Sequence, residues 1–527
     1  MPDSETTRTD LDEAVRRRRM TGDANRADVA ASRHAAGRRT ARENLAALCD
    51  VGSFVEYGGL AIAAQRGRRT VDDLIRRTPA DGLIGGTARV NGALVGADRA
   101  DCAVLSYDYT VLAGTQGVMG HRKKDRLFDV IERRRLPVVL FAEGGGGRPG
   151  DTDNAMVAGL DVMAFALWAR LSGVVPRIGI ASGRCFAGNA LLLGCCDLVI
   201  ATPDASIGMG GPAMIEGGGL GLVDADDVGP FDMQVRNGVI DVAATDEADA
   251  VRLARQSIAF FQGSIATWEA PDQMGLRDVV PENRRRAYDV HRALDLIADT
   301  GSMLELRAGF ARGMVTALAH IEGRPMGIVA NNPIHLAGAI TSDCADKAAR
   351  FLQLCEAFSL PVLFLCDTPG IMVGPDAERS ALVRHASRLF LAGAALTVPF
   401  MTVVLRKGYG LGAQAMAGGS FRAPLMTVAW PTGEFGGMGL EGAVKLAYRK
   451  ELEAIVDADE RQSTYEAMVA ESYARGAAIN TATYFEIDDV IDPAETRALV
   501  AAVILRPDDE RSATSREARR PRYVDSW

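Results

Sequence analysis

Leu136-Pro137-Val138-Val139-Leu140-Phe141 and Leu360-Pro361-Val362-Leu363-Phe364-Leu365 are two copies of one pattern, 224 residues apart. Each is a short apolar run of the kind expected for a strand buried on both faces. Each follows a segment of helical character, residues 124–134 and 345–358. Each ends in a glycine-containing turn, Glu143-Gly144-Gly145-Gly146-Gly147 and Asp367-Thr368-Pro369-Gly370. A second pair, Val175-Pro176-Arg177-Ile178-Gly179-Ile180 and Val398-Pro399-Phe400-Met401-Thr402-Val403, is offset by 223 and leads into the Gly/Ala-rich segments 183–190 and 408–413. Upstream, residues 90–96 match 321–327 at an offset of 231, and both read as hairpin turns around glycine, with loop variation absorbing the different spacing. Three ordered matches predict two homologous α/β domains with largely parallel pairing. The expected boundaries are 1–267, a polar linker at 268–286, and 287–527.

The rest of the composition agrees. A chain of 527 residues is too long for one ordinary core, and 48% hydrophobic with 24% charged residues excludes a disordered or fibrous protein. A net charge of -9 argues against phosphate-backbone binding, and 6% aromatics argue against base-stacking platforms, so no nucleic-acid partner is expected. The basic runs 16–19, 133–135 and 284–286 read as solvated helix faces or, more sharply, as patches for an anionic ligand. Eight cysteines contain no CxxC pair, which excludes a zinc ribbon and suggests a reducing compartment; Cys195 and Cys196, in an apolar run, read as buried thiols. The polar stretch Met1 to Asp12 lacks an apolar signal core. No run of eighteen apolar residues exists, and the most apolar stretch, 391–405, is broken by Pro399. The expectation is a cytoplasmic protein with no membrane partner and no bound metal.

The glycine excess, 56 residues, draws attention to the turns. Residues 144–147 continue Arg148-Pro149-Gly150-Asp151 rather than Gly-Lys-Ser/Thr, so they are not a P-loop. The run 208–221 lacks GxGxxG with an acidic ribose partner. Glycine also lets backbone N–H groups approach a developing oxyanion, and a helix N-terminus behind it adds partial positive charge. Two equivalent strand–turn–helix units could offer two such holes, one at Gly145 and Gly146 and one within Gly410-Leu411-Gly412-Ala413. There is no GxSxG elbow, and none of the six histidines has metal-ligand spacing. The cluster Gly120-His121-Arg122-Lys123-Lys124 could meet cofactor phosphates or lie on solvated surface.

Several motifs then align with one family. Residues 33–43 (RHAAGRRTARE) are similar to RHxxGKLTARE, 50–56 to DxGSFxE, 81–86 to DGVVTG, and Ala187-Gly188-Asn189-Ala190 stands where the family has AGGA. In the second half, 323–333 is similar to GRxVGIVxNxP, 366–370 to DVPG, 406–410 to RKxYG and 429–432 to AWPT. The chain resembles, over nearly its whole length, the carboxyltransferase (β) subunits of biotin-dependent acyl-CoA carboxylases, in the crotonase-like superfamily. The resemblance implies two crotonase-like (ββα-spiral) domains, an acyl-CoA side and a biotin side, and transfer of a carboxyl group from carboxybiotin to the acyl-CoA α-carbon through an enolate. It implies Gly145 and Gly146 as donors to the thioester oxygen and Leu411 and Gly412 to the biotin oxygen, with Gly188, Asn189, Gly410, Ala413, Gln414, His121 and Lys124 binding substrate or cofactor. Biotin would sit on a partner carrier, supplied with a biotin carboxylase (α) subunit, and the enzyme would be a homo-hexamer. Departures at 149–153, Leu411 and Gln414 bear on substrate identity. Alternatives are the α subunit of an acyl-CoA decarboxylase, a biotin-independent crotonase-like hydratase or hydrolase, or a non-catalytic CoA- or carrier-binding subunit.

Overall fold

A computed structural model describes residues 8–153, 158–505 and 523–527. Residues 1–7 of the polar N-terminal stretch lie outside it. The chain divides into two compact units, Met1–Gln262 and Gly263–Asp525. The first is built on a seven-stranded sheet. Its strands in chain order are β1 (Val55–Glu56), β2 (Leu83–Arg89), β3 (Asp101–Tyr107), β4 (Val138–Phe141), β5 (Arg177–Ala181), β7 (Leu198–Ala201) and β9 (Val242–Ala243), and this is also their spatial order. The short strands β6 (Arg184–Phe186) and β8 (Ser206–Gly208) pair apart from it. The second unit repeats the plan with β10 (Leu304–Leu306), β11 (Met314–Ile321), β12 (Arg324–Asn331), β13 (Val362–Thr368), β14 (Phe400–Tyr409), β15 (Met426–Ala429) and β17 (Asp489–Val490), while β16 (Glu434–Gly436) pairs with β14. In each, the first three strands are antiparallel and the rest parallel. β4 and β13 are buried along their whole length, which is why they read as continuous apolar runs.

Four helices matter below: α1 (Val118–Arg134), α2 (Gly188–Gly194), α3 (Ser342–Ala357) and α4 (Gly410–Ala415). Thr341 caps α3 by accepting from the Cys344 amide, and the helix is buried over nearly its full length. α1 ends where Arg135 turns left-handed, so the run 133–135 is the helix C-terminus, with Arg133 and Arg134 paired to acids.

Two sequence expectations change. The first hairpin is not a tight turn: residues 90–100 join β2 to β3 through the helical turn Gly92–Val95, whereas Glu322 and Gly323, both left-handed, close β11 onto β12 directly. The longer connection shifts the offset from 232 at Arg89 and Ile321 to 223 at Asp101 and Arg324, and an alignment across it falls between. Residues 268–286 are not a free linker either, because Leu276, Val279 and Val280 are buried in the second unit's core. Cys196 is buried and Cys195 only half-buried, and all eight cysteines are unpaired.

The duplication extends to buried polar anchors. Lys123 on α1 donates to the carbonyls of Ala80 and Leu83, and Lys347 on α3, 224 residues on, donates to those of Arg307 (2.9 Å) and Phe310 (3.0 Å). Ala80, Asp81 and Arg307 have positive φ, so each lysine fastens a left-handed bend before a hairpin. The tripeptide Leu-Ala-Gly recurs at 112–114 and 336–338 with all three residues left-handed in both copies.

His291 packs between Asp289 and Glu305 on β10, 2.5 and 2.9 Å away, and the Glu305 bond chiefly lifts the imidazole to about 9. The folded value lies above the unfolded ~6.5. The histidine's contribution to stability is therefore complete below about pH 6.5 and lost as pH rises through about 9. Thermal unfolding from pH 6 to 10 is expected to show this decline, and His291→Gln to flatten it.

Candidate functional site

In the first unit the turn after β4 starts at Glu143, whose carboxylate is gripped two-pronged by Arg33 (3.0 and 2.9 Å) and touched by Arg38 (3.4 Å). The arginines of the sequence's opening motif thus anchor a turn more than a hundred residues away. The peptide groups that follow are mostly committed. The Gly144 amide donates to Arg184 O, and its carbonyl accepts from Phe186. The Gly145 amide donates to Ala113 O at 3.2 Å. The Gly146 carbonyl accepts from the Gln116 amide at 2.6 Å.

Among the described residues the amide of Gly146 has no acceptor, nor does that of Gly188 at the start of α2. The two lie together: a Cβ on Gly146 would fall 2.6 Å from Ala187 Cβ and 3.6 Å from Gly188 N, and Gly146 has φ +81. Of the expected pair, Gly146 is free and Gly145 is spent internally. Among the described residues the amides of Gly147, Asn189 and Ala190 are likewise without an acceptor.

Asn189 is completely buried. Its side-chain amide donates to Gly114 O (3.2 Å) and Glu143 O (3.4 Å), and accepts from Gln116 Nε2 (2.6 Å). Lys124 does not present a charge to solvent. It is 1% exposed, with Nζ 2.6 Å from Gln116 Oε1 and the Tyr107 and Phe165 rings over it. His121 leans edge-on to Phe165, its Nδ1 buried without a partner, and burial pushes it down to about 4, so it is uncharged at neutral pH. Neither suits a phosphate, which corrects the reading of that cluster.

Arg148, which the sequence did not single out, fixes the far end of the turn. Buried to 3%, it pairs with Asp81 and donates to Thr115 O at 2.9 Å. Asp151, in the stretch that departs from the family pattern, caps α1 by accepting from the Val118 amide at 2.9 Å.

The second unit reproduces the anchor with other residues. Asp367, fully buried at the end of β13, pairs with Arg406 (3.1 Å) and Lys407 (3.0 Å). Arg406 also lies under the Tyr288 ring and donates to the carbonyls of Arg284 and Arg286, so the run 284–286 is tied down by its backbone. Here the Gly370 amide is taken by Thr368 Oγ1 at 3.2 Å. Among the described residues the amides of Leu411, Gly412 and Ala413 in the first turn of α4, after Gly410 at φ +55, have no acceptor. A Cβ on Gly412 would strike Gly370 Cα at 2.6 Å, so the helix can press against the turn only with glycine there. Leu411 is exposed, Ala413 buried and Gln414 exposed. Among the described residues no three His, Cys, Asp or Glu side chains are grouped to hold a metal.

The carboxyl transferase domain family matches residues 32–520. The methylmalonyl-CoA carboxyltransferase 12S subunit of Propionibacterium freudenreichii is 34% identical, over 92% of this chain and 91% of its own. The propionyl-CoA carboxylase beta chain of Saccharopolyspora erythraea is 31% identical, over 97% and 95%. The biotin-dependent long chain acyl-coenzyme A carboxylase beta4 subunit of Mycobacterium tuberculosis is 32% identical, over 90% and 89%. Among solved structures, a single-chain, multi-domain long-chain acyl-CoA carboxylase superposes with TM-score 0.90 and 59% identity over 95% of this chain, which spans about half (49%) of that protein. The transcarboxylase 12S hexamer superposes with TM-score 0.81 and 29% identity, over 97% and 98%.

Arg148→Met strands the buried Asp81 carboxylate and is expected to destabilise the first unit by about 3–5 kcal/mol, read from denaturant unfolding.

Proposed function

The chain belongs to the carboxyl transferase domain family, and on that premise we propose how its two units divide the work. It is an enzyme that transfers a carboxyl group between biotin and an acyl-CoA. Biotin, when presented, supplies the carboxyl group and a ring nitrogen able to take the substrate's α-proton. What this chain must provide is stabilisation of two negative oxygens, one on the thioester and one on the biotin ureido group. The observation that carries the assignment is that, among the described residues, each unit holds amides without an acceptor in the first turn of a helix beside a charge-anchored glycine turn. Gly146 and Gly188 hold the thioester oxygen, and Leu411 and Gly412 hold the ureido oxygen. In both units the donors are uncharged and lie at a helix's positive end, and the family resemblance of residues 406–410 to RKxYG supports giving the second pair to biotin. No side-chain base is then needed.

The substrate is a long-chain acyl-CoA. The 59% identity to a long-chain carboxylase, against about 30% to the propionyl- and methylmalonyl-CoA enzymes, supports this. So do Met209, Met214, Leu220 and Leu222, apolar yet exposed, on the segment that follows β8 and packs Gly211 on Phe186, one residue before Ala187. The biotin is carried by a module outside this chain, and the likeness to the 12S protein supports a hexamer. Eight unpaired thiols support a cytoplasmic setting.

Gly146→Ala keeps the N–H but sets a Cβ 2.6 Å from Ala187 Cβ at φ +81, so the amide is displaced and kcat is expected to fall by about 10²–10³, the scale of losing one oxyanion donor. A panel of acyl-CoAs from two to sixteen carbons, offered with a carboxylated biotin carrier, is expected to give the highest kcat/KM at the long end. Absence of carboxylation for every thioester, in a complex that forms, overturns the assignment.

A further inference from the structure

Lys124 is a buried cation with no place in the scheme above. Its hydrogen-bond acceptor is an uncharged amide, Gln116 Oε1 at 2.6 Å, and Asp125 and Asp81 favour its proton only through space. Removing an ammonium from water is costly unless it is compensated, and that cost pushes this one down to about 7.

From Nζ the hydrogen bonds run in one direction. Lys124 donates to Gln116 Oε1, Gln116 Nε2 donates to Asn189 Oδ1 at 2.6 Å, and Asn189 Nδ2 donates to the carbonyls of Gly114 and Glu143. Donors aligned this way polarise one another, and a charged first member strengthens the series. The middle residue has a second hold: the Gln116 amide donates to Gly146 O, and its carbonyl accepts from Arg148. Asn189 belongs to the first turn of α2, next to Gly188. The series therefore ties together the two segments that carry the free amides.

Duplication separates this role from a general one. Lys123 and Lys347 are equivalent and brace the same bend in both units, which is a requirement of the fold. Lys124 is matched by Ala348, Gln116 by Ile340 and Asn189 by Gly412. The bridges Gln116–Gly147 and Ile340–Ile371 confirm that register. The second unit makes the same fold without the series.

We propose that Lys124 is a positioning residue for the thioester half of the reaction: its buried Nζ, donating through Gln116 and Asn189, sets the separation of the turn and helix start that present Gly146 and Gly188. This rests on reading those two amides as the thioester's oxyanion donors.

The test is steady-state carboxylation by the full chain, with a carboxylated biotin carrier and the acyl-CoA that the wild type turns over fastest. Lys124→Met is expected to lower kcat ten- to a hundredfold with KM within twofold. Gln116→Glu keeps the size and can still accept from Lys124, but cannot donate to Asn189; it is expected to lose a similar factor with an unchanged thermal midpoint. That holds the test open if Lys124→Met folds poorly. Combining Lys124→Met with Gln116→Leu is expected to cost little more than either alone. Wild-type kcat in Lys124→Met or Gln116→Glu, a loss confined to KM, or multiplicative losses in the double variant would overturn the proposal. A wild type that carboxylates nothing would overturn the underlying assignment, and the proposal with it.

Discussion

A carboxylate buried at the end of a central strand has to be neutralised, and both units are organised around that requirement. Glu143 and Asp367 occupy equivalent positions, each where the strand gives way to the turn. The partners differ. Glu143 draws Arg33 and Arg38 from the far N-terminal segment, while Asp367 draws Arg406 and Lys407 from the adjacent strand. The anchored turn then sets which peptide groups are spent on the fold and which remain for a ligand. Fixed amides cost nothing to reorient when charge develops, which is the advantage of building the site from backbone.

Much of this could be read from the amino acids. The apolar runs around Val138 and Val362 are buried on both faces, so tertiary context and local pattern agree, and the repeat offset gave the doubled fold. The glycine turns were recognisable because glycine at φ above zero leaves a trace in composition. What could not be read was which N–H is already used. Gly145 and Gly146 are alike as residues, and what takes up the Gly145 amide is the carbonyl of Ala113, supplied by a bend far earlier in the chain. Lys124 misled for a related reason. A basic stretch looks solvated in one dimension, but on α1 Lys123 and Lys124 fall on the inward face while Arg122 points out. Networks such as Gln116–Asn189, 73 residues apart, leave no local periodicity.

The copies diverge at both ends of the sheet. The sheets share order and direction, and the lysine braces coincide. The differences are that Gly412 stands at the position equivalent to Asn189, that the free Gly146 amide corresponds to the Gly370 amide occupied by Thr368, and that a helical turn replaces a two-residue hairpin. The duplicated scaffold kept its interior, and on the function proposed for it the two turns serve oxygens of unlike chemistry.

One difference has a mechanical meaning. In the second unit β14 continues unbroken for ten residues into α4, whereas in the first the corresponding path is cut at Ser182 and Gly183, with β6 leaving to pair with β8. The two paths converge again before the helix: residues 407–409 of β14 pair with β16 as β6 pairs with β8, and Cys185 bridges to Gly144 as Gly408 does to Thr368. Each helix therefore starts from a ribbon braced by the glycine turn on one side and by a short parallel strand on the other. The mechanical difference is confined to the kink at the left-handed Gly183.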